Sequence, residues 1–94
     1  MRVRWTLDAA EDLESIHRYI SVVRPELTQS TILHIYKELT NLRRFPMLGR
    51  EALRYGLREI ILWPLPYVCT YRVEETAVVI LRIHHPAQDR SSLQ

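Results

Sequence analysis

Apolar residues in the first half of the chain recur with the period of an amphipathic helix. One face of the first predicted helix carries Leu13, Ile16, Ile20 and Val23. We expect this helix to begin at Asp8, because Asp8 and Glu11 have the N-cap and N3 spacing of a capping box. Pro25 closes it and can open the next helix, where a proline at the first position loses no hydrogen bond.

The second predicted helix has an apolar stripe of its own, formed by Ile32, Ile35, Tyr36, Leu39 and Leu42. We expect it to end near Phe45, because Pro46 disfavours helical geometry in the residue before it. Two amphipathic helices joined by a tight corner form a hairpin. Since neither is stable alone, their apolar stripes need a sheet to cover.

Strand patterns lie on both sides of the helical pair. Residues 2–6 alternate, with Val3 and Trp5 on one face, and three further strands are predicted at 57–62, 67–73 and 77–85. The short charged link Glu74–Thr76 makes the last two an antiparallel hairpin. The order β-α-α-β-β-β predicts an α+β fold in which an N-terminal strand and a two-helix hairpin pack on an antiparallel sheet.

Composition limits the chain to one core. A length of 94 residues with 47% apolar residues predicts a single domain over residues 1–90, followed by a flexible polar tail over 91–94. The lone cysteine, Cys69, forms no internal disulfide and favours a reducing compartment. No apolar run approaches the ~20 residues of a membrane span, and the acidic N-terminal region is unlike a signal peptide. We therefore expect a cytoplasmic protein without a membrane partner.

Neither a metal nor a cofactor is predicted. His84 and His85 are adjacent on a strand, so their side chains leave opposite faces of the sheet, while His17 and His34 lie on different helices. No spacing typical of a zinc site appears. With only two glycines in the chain there is no glycine-rich loop of the kind that cradles nucleotide phosphates.

Arginines on the predicted strands are the candidate chemistry. The alternation of the last strand places Ile80, Arg82 and His84 on one face, with Arg58 and Arg72 on neighbouring strands. Clustered on one side of the sheet, these arginines could bind a phosphodiester or an acidic peptide. The alternative is that they are ordinary solvated positions, or that they pair with Glu59, Glu74 and Glu75.

Six segments together resemble one protein family. They are Trp5, AAEDLESIHRYI (9–20), LRRFPMLGR (42–50), LREI (57–60), PYVCTYRV (66–73) and VVILRIHHPAQD (78–89). Their order over residues 3 to about 90 resembles the ParE/RelE superfamily of bacterial toxins, the stable partners in type II toxin–antitoxin pairs. The resemblance implies the same helical hairpin on an antiparallel sheet.

Function divides this superfamily into an mRNA-cutting RelE-like branch, which acts in the ribosomal A site, and a ParE-like branch that poisons DNA gyrase. The RelE-like strand motif is Tyr-Arg-Leu-Val-Tyr, whereas residues 67–71 here read Tyr-Val-Cys-Thr-Tyr. Gln88 aligns with a further arginine of the RNA-cutting members, and no tyrosine follows Tyr71. The lysines that assist cleavage in the RNA-cutting members are also missing here, and Arg58 is the one plausible replacement. Losing even one preorganised donor costs about 3 kcal/mol in a transition state, so these differences weaken the nuclease interpretation.

The motif Tyr-Val-x-x-Tyr-Arg-Val and the final pair His85 and Asp89 resemble the ParE-like branch instead. That resemblance implies a non-enzymatic gyrase inhibitor that arrests growth and acts in plasmid stabilisation, with His85 and Asp89 fastening the strand end. One alternative is a ribosome-dependent mRNA endonuclease. Its candidate catalytic residues are Arg58, Arg72, Arg82, His84 and His85. Another alternative is a non-toxic, degenerate module that still binds the antitoxin.

The expected partner is a cognate antitoxin whose C-terminal segment folds over the helical hairpin and adds a strand beside the sheet. Its contact candidates are apolar residues with no other evident role, Leu27, Leu48 and Trp63. The expected target is DNA gyrase, and the alternative target is the ribosome with its mRNA.

Overall fold

The computed structural model describes residues 1–54 and 56–86. The elements are β1 (Arg2–Trp5), α1 (Leu7–Val23), α2 (Thr28–Thr40), β2 (Arg50–Glu51), β3 (Arg58–Ile61), β4 (Val68–Val73) and β5 (Ala77–His84). Two 3₁₀ turns flank α2, at Pro25–Leu27 and Asn41–Arg43. The predicted tail lies outside the described residues. In the part of the chain that is described, no helix has the length and apolar character needed to cross a membrane.

The α+β fold with a helical hairpin on a sheet is confirmed, but the sheet is mixed rather than wholly antiparallel. Its strand order is β1-β5-β4-β3-β2, and β1 runs parallel to β5 while all other neighbours are antiparallel. Since α1 follows β1 directly, β1 has no adjacent strand with which to form a hairpin. It pairs instead with the last strand, placing Val3 opposite Val78 and packing both Val3 and Trp5 against the core as the alternation predicted.

Helix α1 begins two residues earlier than the capping-box prediction. Thr6, not Asp8, is the N-cap, and its hydroxyl oxygen accepts a bond of 3.1 Å from the Ala9 amide. Asp8 is an exposed acidic residue in the first turn, where its negative charge interacts favourably with the helix dipole. The core face consists of Ala9, Leu13, Ile16 and Ile20. Val23, predicted on that face, is half exposed because the helix ends there.

Helix α2 buries Ile35 and Leu39, and the 3₁₀ turn after it buries Leu42. The α-helix ends at Thr40, earlier than expected, because the chain tightens into that 3₁₀ turn before Pro46 is reached. Tyr36 lies at the edge of the stripe. It is 46% exposed, and its ring packs 5.5 Å from the Trp5 ring, which links α2 to β1.

A β-bulge on β5 overturns the simple alternation predicted for that strand. Thr70 pairs with Arg82 and Tyr71 with Ile80, so Leu81 is an extra residue. The bulge returns Ile83 to the core beside Ile80, although strict alternation placed them on opposite faces. Arg82 therefore lies opposite Thr70, and the predicted grouping of Ile80 with Arg82 is wrong.

Tyr71 fixes the loop between α2 and β2. Its ring is fully buried, its hydroxyl donates to the Pro46 carbonyl at 2.7 Å, and it accepts from the Gly49 amide at 2.8 Å. Gly49 must lack a side chain, because a Cβ there would lie 2.6 Å from the Glu59 carbonyl oxygen and 2.7 Å from the Tyr71 hydroxyl. The loop backbone thus lies directly against the sheet.

Replacing Tyr71 with phenylalanine should lower the free energy of unfolding by about 1–3 kcal/mol, because the Gly49 amide and the Pro46 carbonyl lose a buried partner. Urea denaturation measures the change. Tyr36→Phe is the matched control, and we expect it to stay within about 0.5 kcal/mol because that side chain is half exposed. Equal losses in the two variants would contradict the assigned role of the Tyr71 hydroxyl.

Candidate functional site

Four of the five candidate catalytic residues lie on three neighbouring strands and His85 directly follows β5, but the five do not converge. Arg58 on β3 pairs with Tyr71 on β4 and so lies on the helix-facing side of the sheet. Arg72 follows Tyr71 directly and lies on the opposite side. The two guanidinium groups proposed to share one phosphate are therefore separated by the sheet.

Arg58 supports the loop that Tyr71 also holds. Its Nη1 donates to the Gly49 carbonyl at 2.7 Å, and its Nη2 lies 4.0 Å from Glu51. Only 23% of its side chain is exposed. A largely buried cation that bonds the Gly49 carbonyl helps to hold the loop against the sheet.

Arg72 and Glu74 form a charge pair at the end of β4. The Nε and Nη2 atoms of Arg72 donate to one Glu74 carboxylate oxygen at 3.0 and 2.7 Å. Arg4 of β1 approaches the same carboxylate at 4.0 Å. This is the pairing with Glu74 that the sequence left open as an alternative to an anion site.

Arg82 binds an aspartate that sequence reasoning missed. Its Nε and Nη2 donate to the two Asp12 oxygens at 2.8 and 3.1 Å, a bidentate geometry. Asp12 also accepts from the Ile83 amide at 2.9 Å and is only 16% exposed. The signal was its place in α1, where Asp12, Ile16 and Ile20 recur at intervals of four residues and put a carboxylate beside the apolar stripe.

The two histidines close the same end of the sheet. His84 pairs with Val68 across β4 and β5, and the His85 ring stands edge-on to Tyr67 with centroids 6.3 Å apart. Both residues are half-buried and make further interactions. Asp89, predicted to fasten His85, lies outside the described residues, as does Gln88. Nothing therefore tests the predicted contact between His85 and Asp89.

Burial controls the ionisation of two groups on β4 and at its start. Desolvation raises the pKa of the Cys69 thiol far above its usual range, and the nearby Asp12 charge acts in the same direction. Desolvation, with a smaller effect from Tyr19, also raises the pKa of Tyr67. At neutral pH both groups are protonated, so neither acts as a nucleophile or base. Among residues 1–54 and 56–86, no three histidine, cysteine or acidic side chains come together as metal ligands would.

The antitoxin-contact candidates are all exposed: Leu27 by 41%, Leu48 by 55% and Trp63 by 76%. The Trp63 carbonyl accepts a bond of 2.7 Å from His34 Nε2, which places the β3–β4 connection against α2. Sequence reasoning missed a larger exposed apolar set on the helical hairpin, comprising Leu7, Tyr19, Val22, Leu33 and Tyr36. Except for Tyr36, which lies at the edge of the predicted stripe, these apolar residues are outside the core faces that the amphipathic pattern explained.

A hollow of about 450 Å³ lies beside the β2–β3 loop. Its walls include Met47, Glu51, Leu53, Arg54 and Arg58. Gly56 allows the loop to turn back, since its φ of 82° lies in the left-handed region that other residues rarely adopt. The hollow has one acidic and two basic residues, and one of the two, Arg58, bonds the Gly49 carbonyl.

Comparison with known proteins agrees with this architecture. The profile of the ParE toxin of type II toxin–antitoxin systems, parDE, matches residues 3–90. Toxin RelE2 of Caulobacter vibrioides is 37% identical over 87 residues, covering 93% of this chain and 97% of that protein. A chain in the chromosomal ParDE system from P. aeruginosa superposes with a TM-score of 0.82 at 28% identity, covering 90% of this chain and 95% of that chain.

A more distant structure agrees in fold alone. A chain of the toxin–antitoxin complex RelBE2 from Mycobacterium tuberculosis has a TM-score of 0.65 at 24% identity, covering 89% of this chain and 88% of that one. The fold and these similarities define the class as a ParE/RelE superfamily toxin. Within it, the chain belongs to the ParE toxin family of type II toxin–antitoxin systems.

Removing Asp12 should destabilise the fold more than removing Arg82. Asp12→Ala leaves the Ile83 amide without its acceptor and should cost about 1–3 kcal/mol. Arg82→Ala, at a side chain that is 53% exposed, should cost less than about 1 kcal/mol. Urea denaturation compares the two variants, with the exposed Glu11→Ala as control. A larger loss for Arg82→Ala would contradict a mainly structural role for Asp12.

Cys69 should not react with a thiol reagent until the chain unfolds, because it is buried and protonated. Gln29→Cys adds an exposed thiol to α2, so this variant should show one fast and one protected cysteine. The unfolded thiol ionises near pH 9.0 while the folded one stays protonated, so the free energy of unfolding should fall as pH rises above that value. Fast modification of Cys69 in the folded protein would refute this.

Proposed function

We propose that this chain is a growth-inhibiting toxin that poisons DNA gyrase without cutting RNA, and that a cognate antitoxin neutralises it. The observation that carries the proposal is the engagement of all three candidate arginines. Arg58 bonds the Gly49 carbonyl, Arg72 bonds Glu74, and Arg82 bonds Asp12. Arginines held in this way stabilise the fold.

Cleavage of mRNA places a different demand on these residues. A nuclease needs cations aimed together at a phosphate whose charge develops in the transition state. Here Arg58 and Arg72 lie on opposite faces of the sheet. At Val68, where the RNA-cutting motif has an arginine, the side chain is apolar and pairs with His84. These features favour an inhibitor that acts by binding.

The names of the relatives include both ParE and RelE. The family profile and the P. aeruginosa structure carry the name ParE or ParDE. The protein with 37% identity is named toxin RelE2, and this favours the second candidate function, a ribosome-dependent mRNA endonuclease. Arg58, Arg72, Arg82, His84 and His85 remain its candidate residues.

The antitoxin contact is supported by apolar surface on the helical hairpin and beside it. Leu33, Val22 and Trp63 are all more than half exposed, which is costly in water unless a partner covers them. The sheet also has an available edge, because β1 is a terminal strand that pairs on one side alone. An antitoxin segment can therefore add a helix over the hairpin and a strand beside β1. The matches in structural comparison include toxin–antitoxin complexes, which supports such a partner.

Two reactions run side by side separate the candidate functions. Purified toxin is added to gyrase with plasmid DNA, and separately to translating ribosomes with a defined mRNA. We expect loss of supercoiling with accumulation of cleaved DNA bound to gyrase, and intact mRNA. A double variant, Arg72→Gln with Arg82→Gln, should retain the inhibition of gyrase if it stays folded, as circular dichroism would report.

The opposite pattern would overturn the proposal. Cut mRNA with normal supercoiling, lost in the double variant but not in an Arg18→Gln and Arg24→Gln control, would establish the endonuclease. Inducing the chain in cells without an antitoxin tests toxicity itself. Normal growth at high expression would instead favour the non-toxic, antitoxin-binding module.

A further inference from the structure

Most arginines in the structure are matched with a carboxylate. Seven lie within 4.0 Å of an acidic side chain: Arg4, Arg18, Arg24, Arg50, Arg58, Arg72 and Arg82. Within residues 1–54 and 56–86, the basic side chains outside these ion pairs are Arg2, Lys37, Arg43, Arg44 and Arg54. The small net charge of +2 therefore conceals an uneven distribution of positive charge.

Four of these five cations occupy one end of the molecule. Lys37, Arg43 and Arg44 line a hollow of about 410 Å³ after the last turn of α2. Arg43 also lines a neighbouring hollow of about 570 Å³ together with Arg2 of β1. The two hollows share Arg43 as a lining residue and are therefore adjacent. We call Arg2, Lys37, Arg43 and Arg44 the basic end.

The spacing within the basic end suits an extended polyanion. Lys37, Asn41 and Arg44 recur at helical intervals and form a stripe with Thr40 between them. With the rise of an α-helix and then a 3₁₀ turn, the stripe spans about 12 Å. This length equals roughly three to four nucleotide steps of one strand, measured along the axis of the duplex. Asparagine and threonine are also side chains that bond phosphate oxygens.

Two features weigh against a simple anion site. Glu38 and Glu75 lie in the same hollows and reduce the positive charge. Cations near a helix C-terminus also stabilise the helix through its dipole. The dipole does not account for Arg2, which belongs to β1, nor for Arg44, whose guanidinium lies 5.4 Å from the centre of the Phe45 ring and beyond the helix. Their positions beside Arg43 require another explanation.

We infer that the basic end docks on the phosphate backbone of duplex DNA. The inference rests on the proposed function, because gyrase is bound to DNA when its cleaved state is trapped. Contacts of this kind carry no base specificity and add affinity where the protein target and the DNA lie together. The basic end would thus orient the toxin on the gyrase–DNA complex.

Binding of the full chain to a short fluorescent DNA duplex, followed by anisotropy, tests this directly. Over about 50–200 mM salt, four phosphate contacts predict a slope of log K against log salt of roughly −3.6. The variant Lys37→Gln, Arg43→Gln, Arg44→Gln should lose most of that slope and bind at least about tenfold more weakly at low salt. Single Arg43→Gln, which disturbs α2 less, should reduce the slope by about one.

The matched control removes the same charge elsewhere. Arg18, Arg24 and Arg50 are exposed and lie 2.6, 2.7 and 3.4 Å from a glutamate. Their triple change to glutamine should leave the slope and the affinity unchanged. Equal weakening by both triple variants would overturn the inference, because it would show a general effect of charge.

Two further measurements fix the partner. Tighter binding to an RNA duplex of equal length would overturn the assignment to DNA. Loss of gyrase inhibition in the basic-end variant without loss of DNA binding would also overturn it, since the surface would then contact acidic protein. DNA binding through the basic end by a chain that leaves gyrase active would uphold this inference while refuting the proposed function.

Discussion

The fold depends on how the backbone of β5 is satisfied beyond the point where β1 ends. Thr6 follows β1 and donates its hydroxyl to the carbonyls of Ile80 and Leu81 at 3.0 Å each, while the same oxygen caps α1. Further along α1, Asp12 accepts from the Ile83 amide. Two polar side chains from the start of α1 thus replace the missing strand. Without them, a bulged strand that faces the core would leave backbone groups without partners.

That arrangement also engages Arg82 of β5 in bonds to Asp12. Asp12 accepts from the Ile83 amide and also accepts the bidentate bond from Arg82. On β4 and β3, Tyr71 and Arg58 both bond Gly49. The Tyr71 hydroxyl accepts from its amide, and Arg58 donates to its carbonyl. Arginines, whose side chains are typical of phosphate recognition, here bond other groups of the fold.

Sequence periodicity predicted the helical hairpin, the three C-terminal strands and most core positions of both helices, because residues buried on one face recur at regular intervals; Val23 and Tyr36 were predicted in the core and are about half exposed. It did not predict the parallel pairing of β1, since nothing local records which strand will be its neighbour. The bulge at Leu81 was also missed, because LRIHH alternates as well as any regular strand. Asp12 could have been found, as a carboxylate beside an apolar stripe demands a partner.

The pairing of β1 with β5 also bears on the synthesis of the protein. Arg2 lies opposite Ala77, so the first and last strands of the described sheet pair although both helices and three strands lie between them in sequence. A chain emerging from the ribosome can form its helices early, but β1 has no partner until the final strand has been translated. The sheet is therefore completed only after β5 has been translated, and a shorter nascent chain lacks the surface that the paired strands form.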